Sequence, residues 1–200
     1  MEALMLVLIG GLATVAGGWL ATIWTHKRNL DLHMFQQQKQ IHGILRAIRN
    51  ELEVLGDIYR MKAGAGLAAT KDGEPYQVYF SLTEKYFIVY PNNTEIVGQI
   101  DDPELCKAIV VTYNKANFLL EAFRINNRYL DKLSELNKIQ AVQQMAVTPY
   151  VQNNLVATRE RLAAHAGQLK LGDADFKRET ESLLAKIDNY LSNHTVKDSA

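Results

Sequence analysis

From Ala3 to Trp24 the chain reads ALMLVLIGGLATVAGGWLATIW, with no charged residue. As α-helix that stretch rises about 33 Å at ~1.5 Å per residue, enough to cross a hydrocarbon core of about 30 Å. It is read as a single transmembrane helix, with residues 1–25 as the anchor. A secretory signal peptide needs a positively charged start, a shorter apolar core and a small-residue cleavage site. Here the start is Met1-Glu2 and the stretch closes on Ile23-Trp24-Thr25, so a retained anchor fits better. His26-Lys27-Arg28 follows directly. The positive-inside bias then places the N-terminus outside and the remainder in the cytoplasm, with Trp24 as an interfacial aromatic.

The same stretch is rich in small residues. Ala13, Gly17 and Ala21 fall four apart, and Gly10, Thr14 and Gly18 form a second row. Such rows let helix backbones approach closely, which is how membrane helices associate without a hydrophobic drive between them. Homo-oligomerisation through these six residues is the expectation, with membrane lipid as the other partner.

Outside the anchor the composition excludes more than it identifies. Lys plus Arg and Asp plus Glu are equal at 22 each, so there is no basic footprint for a dedicated nucleic-acid binder. The single cysteine, Cys106, rules out an intrachain disulfide and a Cys-based zinc site. Its position after Leu105, at the start of a helix, suits apolar packing. No phosphate loop, GxSxG, HExxH or Cys/His cluster is present, so neither a metal nor a cofactor is expected.

Beyond the anchor, Ile41, Leu45, Ile48, Leu52, Leu55 and Tyr59 alternate in steps of four and three, a heptad seam. Residues 26–62 read as an amphipathic stalk helix, continuous with the anchor or broken near Asn29. The seam packs either on other copies or on this chain's own later helices. Residues 63–193 read as a cytosolic helical domain, opening on a glycine-rich loop from Ala63 to Glu74. An aromatic insert near 76–100 has strand character at Tyr86–Tyr90 and suggests an extended segment or hairpin. Asp102 and Pro103 form a helix start. One helix runs from there to Asn126-Asn127, and another carries Leu130, Leu133, Leu136 and Ile139. A third spans Tyr150 to Lys170 and closes at Leu171-Gly172, and Asp173 opens the last. Residues 194–200 read as a flexible tail. The fold class is mainly α: an anchor helix continuing into a helical bundle with a short extended or hairpin insertion.

Two side chains invite a chemical reading. Arg159 falls in a row with Val151, Leu155, Leu162, Ala166 and Leu169, so its guanidinium needs a partner or a route to water. His165 follows six residues later. The string from Arg159 to His165 resembles the Arg-x(4–6)-His motif of HEPN domains, helical bundles that often dimerise into ribonucleases. That resemblance implies a general acid/base at His165 and phosphate-charge stabilisation at Arg159. Glu160 departs from the Asn, His or Asp usual after the Arg, and six residues on one helix turn through about 240°. The layout is similar to a broad group of membrane-anchored bacterial helical proteins. It combines one membrane helix, a stalk, Tyr90-Pro91-Asn92-Asn93, and Ile100 to Leu105 ahead of a helix with Ile109 and Tyr113. Within that group it resembles the accessory membrane protein of type VI-B CRISPR systems, which has a HEPN-like domain and assembles into a pore. The resemblance implies oligomerisation and a bacterial inner-membrane location.

The first expectation is therefore a non-enzymatic, self-assembling, single-pass inner-membrane protein, in its sharper form a pore-forming or membrane-perturbing effector in antiphage defence. The alternatives are a membrane-tethered HEPN-type ribonuclease acting on RNA, and a scaffold that recruits a protein partner.

Overall fold

The computed structural model describes residues 2–81, 86–142 and 149–194, with side chains described at Trp19 and from Thr22 onward in those ranges. The described residues are mainly helical and include no strand. Helix α1, Glu2–Tyr59, is unbroken, with no interruption at Asn29. It passes into a π-helical stretch, Arg60–Gly64, and then α2, Ala65–Ala69. The stretch expected to be a loop from Ala63 is thus helical as far as Ala69. Tertiary contact explains why. Ala63 is buried and its carbonyl accepts the Tyr76 hydroxyl at 3.2 Å, and a Cβ on Gly64 would stand 3.2 Å from the Tyr59 ring.

A short helix α3, Thr94–Val97, precedes α4, Pro103–Val142, and α5, Pro149–Asn193. The expected start of α4 is present: Asp102 Oδ1 accepts the Leu105 N–H at 2.9 Å, with Pro103 at the first helical position. Two expected breaks are absent. α4 runs through Asn126-Asn127, both buried. α5 runs through Gly172-Asp173, because Gly172 lies against Leu119 of α4 (a Cβ there would stand 3.5 Å from the leucine). Asp173 spends its carboxylate on Tyr59 and Lys177, both at 2.8 Å, and not on a helix cap.

α4 and α5 pack antiparallel. Lys115 meets Asp175 at 2.7 Å, the Thr112 hydroxyl donates to the Glu179 carbonyl at 3.3 Å, and His165 Nε2 lies 2.8 Å from the Ala122 carbonyl. α1 lies antiparallel to α5, tied by Arg49–Asp188 and Tyr59–Asp173, each at 2.8 Å. The place of a fourth helix is taken by residues 70–81 and 86–102, which descend the bundle pinned by buried Tyr76, Phe80, Phe87, Val97 and Ile100.

Of the expected extended segment or hairpin, the hairpin is not formed: the described residues of this segment pair with no strand, and α3 falls in the stretch from Glu95 to Ile100 expected as its second arm. Its buried aromatics are spent singly on the core, while Tyr79 stays exposed: Phe80 packs on Phe123, and Phe87 packs on Tyr113 and Phe176. A side chain supplies what a partner strand would have. The Asn127 carboxamide donates to the Phe80 carbonyl at 2.7 Å and accepts its N–H at 3.2 Å. The main core gathers α1 from Ile41 onward, the descending segment, α4 and α5, and a small satellite of Leu136, Val151 and Leu155 closes the far end of the α4–α5 pair.

Candidate functional site

Ile41 is where α1 enters the core. Below it, residues 22–40 are exposed on every side, apart from a half-buried Phe35 under Lys39. Trp24 is 73 % exposed and Met34 56 %. Lys27 and Arg28 are exposed, with no ion-pair partner among the described residues. The bundle therefore stands on a bare helical rod about 25 Å long between Trp24 and Ile41, at ~1.5 Å per residue. Gly10, Ala13, Thr14, Gly17, Gly18 and Ala21 belong to the helical backbone of α1, but as a packing face they lie outside the described residues. Among the described residues no helix is long and apolar enough to cross a membrane. Of the Ala3–Trp24 stretch, only the side chains of Trp19, Thr22, Ile23 and Trp24 are among them.

The heptad seam has a partner within the chain. Ile41, Leu45, Ile48, Leu52 and Tyr59 are buried and Leu55 packs partly buried against the same core. Of the two readings of the seam, packing on the chain's own later helices is the one observed. The stalk thus divides at Ile41 into a bare rod and a core helix.

Arg159 and His165 are not brought together. The buried row of α5 steps Val151, Leu155, Thr158, Leu162, in fours and threes, so Thr158 takes the place expected for Arg159. Arg159 is exposed and has no ion-pair or hydrogen-bond partner among the described residues. His165 is buried, with Nε2 on the Ala122 carbonyl, Nδ1 3.1 Å from Gln168 Oε1, and Tyr129 edge-on to its ring. Both nitrogens are engaged, in a helix-to-helix clasp. Comparison of the chain with family models, curated proteins and solved structures gives no match.

Three polar features carried no signal in the sequence pattern. The carboxylate of Glu51 on α1 accepts the Ile88 N–H at 2.7 Å, the Val89 N–H at 3.2 Å and the Tyr113 hydroxyl. The two amides follow Phe87, whose φ of 58° is left-handed and unusual for an aromatic residue. That turn points consecutive N–H groups at one anion, as backbone nests do. Burial first, and then the bond to Glu51, push the Tyr113 hydroxyl pKa well above its usual value. Tyr59 behaves alike, through burial and Asp173.

Between α1 and α5 an open groove of about 890 Å³, mouth included, has Leu52, Gly56, Tyr59, Phe176, Thr180 and Leu184 among its lining residues. Thr180 Oγ1 lies buried at its side without a partner. The charges on its rim are largely spoken for, with Glu53 on Arg49, Asp57 on Arg60 and Lys177 on Asp173. Among the described residues no group of His, Cys, Asp and Glu could hold a metal ion. A half-buried carboxylate facing backbone donors is visible only once the loop has been placed, so no spacing rule would have found Glu51.

Proposed function

We propose that this chain is a bilayer-anchored, self-assembling protein whose helical bundle is carried clear of the lipid by α1. The observation that carries this reading is the rod: residues 22–40 are exposed apart from half-buried Phe35, and the helix continues into the uncharged Ala3–Trp24 stretch. A polar helix that packs on nothing has little stability of its own in water. An apolar, glycine-rich continuation has less, because glycine is a poor helix former there. Lipid removes water's competition for backbone hydrogen bonds and makes the helix obligatory. Lys27 and Arg28, exposed just past Trp24, suit headgroups on the cytoplasmic side. A pore or other membrane-perturbing role, as in antiphage defence, follows if the anchors pack around a common axis through the Ala13/Gly17/Ala21 and Gly10/Thr14/Gly18 rows.

The ribonuclease alternative, which needs Arg159 and His165 at one phosphate, draws nothing from their positions. The test is the mass of the full-length protein in mild detergent over a hundredfold concentration range. A defined oligomer is expected, shifted toward monomer by Gly17→Leu with Gly10→Leu. A monomer throughout removes self-assembly. Recovery of the chain from cells in the soluble fraction, without detergent, removes the anchor.

A further inference from the structure

One residue above the point where α1 leaves the bundle, His42 is 6 % exposed and its Nε2 has no hydrogen-bond partner among the described residues. Its ring meets Tyr190 of α5 edge-on, at 6.2 Å between centroids. Tyr190 is covered in turn by the His194 imidazole, stacked at 4.2 Å, whose Nδ1 lies 3.0 Å from the Tyr190 carbonyl. The last turn of α5 is thus held to α1 through a row of three rings, His42 edge-on to Tyr190 and His194 stacked on Tyr190. The groups around them are Arg46 on α1, Tyr190 and His194 on α5, and Asp101, Asp102 and Cys106 at the start of α4, which act on Tyr190.

We propose that this end of the bundle is an acid-sensitive clasp: when His42 becomes an imidazolium it loses its place against Tyr190, and the last turns of α5 come away from α1. A buried cation needs a paired anion, and the charged groups acting directly on the imidazole, Arg46 and His194, bear or can acquire the same sign. Burial first, then Arg46 and His194, hold the His42 pKa below its usual value, so the neutral ring is the one that fits. Release exposes the apolar side of Ile187 and Tyr190 beside the emerging rod, which makes the junction of rod and bundle the part of the molecule that responds to proton concentration. The device stands whether or not the anchor is embedded in lipid.

Hydrogen exchange read by mass spectrometry on the full-length protein in detergent tests it, at about pH 7.5 and about pH 5.5, either side of an ordinary histidine, with rates corrected for intrinsic pH dependence. Peptides covering residues 187–194 should lose up to about tenfold of their protection at the lower pH, while peptides covering 112–123 hold theirs. His42→Phe should abolish the response, and His42→Gln serves equally if the phenyl ring does not pack. His194→Gln should leave it in place. Loss of protection that persists in the His42 variants, or wild-type protection that does not change, overturns the clasp.

Discussion

Replacing Glu51 with alanine tests the reasoning most sharply, because one carboxylate holds three segments together. Its removal strands the Tyr113 hydroxyl, whose residue is 2 % exposed, together with the amides of Ile88 and Val89. Hydrogen bonds to a charged group contribute about 1.5–3 kcal/mol each. Tyr113, fully enclosed, should lose close to the top of that range, while Ile88, 46 % exposed, regains water and loses little. Relaxing the left-handed Phe87 returns about 1–2 kcal/mol. With about 1.5–3 kcal/mol more from the half-buried Val89 amide, the net expectation is a loss of about 2.5–5 kcal/mol, a large share of the ~5–15 kcal/mol typical of a domain. Tyr113→Phe alone should cost about 1 kcal/mol, since Glu51 keeps its two amides. The two changes together should fall short of their sum by 0.5 kcal/mol or more, the usual mark of direct contact. Denaturant unfolding followed by far-UV circular dichroism in detergent measures all three. A Glu51→Ala protein within about 0.5 kcal/mol of the parent would show that the carboxylate fastens nothing.

Asn127→Ala removes both bonds to Phe80 and leaves a buried amide and carbonyl open, for an expected loss of about 2–3 kcal/mol in the same assay. Gly56→Ala should raise stability by about 0.8–1 kcal/mol, since a Cβ there meets nothing within 4 Å; a fall would mean that the groove closes in solution. The Lys115 ammonium, by hydrogen bond first, holds the Asp175 carboxyl below its usual pKa. Its folded value therefore lies below its unfolded one, so its contribution is present above about pH 4 and lost as pH falls through the folded value. Unfolding curves of Lys115→Ala should accordingly be flatter than the parent's below about pH 4.

The apolar seam of α1 and the cap at Asp102 could be read from spacing and residue type because both are local rules. Asn126-Asn127 and Gly172-Asp173 read as ends for the same reason, and the structure overrules them from outside the helix. Phe80 takes the Asn127 amide, Leu119 sits against Gly172, and Tyr59 takes the Asp173 carboxylate. Arg159 stands one step off the core row, since a row advancing by four and then three reaches Thr158. The aromatic segment misled because Tyr86–Tyr90 has the composition of a strand, while no second strand exists to pair with it among the described residues. Its true fasteners, Glu51 and Asn127, are distant in the chain. Of the candidate site, the rod could be anticipated, whereas the ring stack at His42 could not, because Tyr190 and His194 lie at the opposite end of the polypeptide.

An α-helix without a joint is a torsion bar. Between Glu2 and Tyr59 the α-helix is continuous, and hinges in long helices need proline, a π-bulge or an inserted group. The first such irregularity comes at Arg60, above the seam. If α1 is the anchor proposed above, a change in tilt or azimuth imposed low on this shaft would be carried toward the globular head, and a few degrees at the foot would swing its far side through several ångströms.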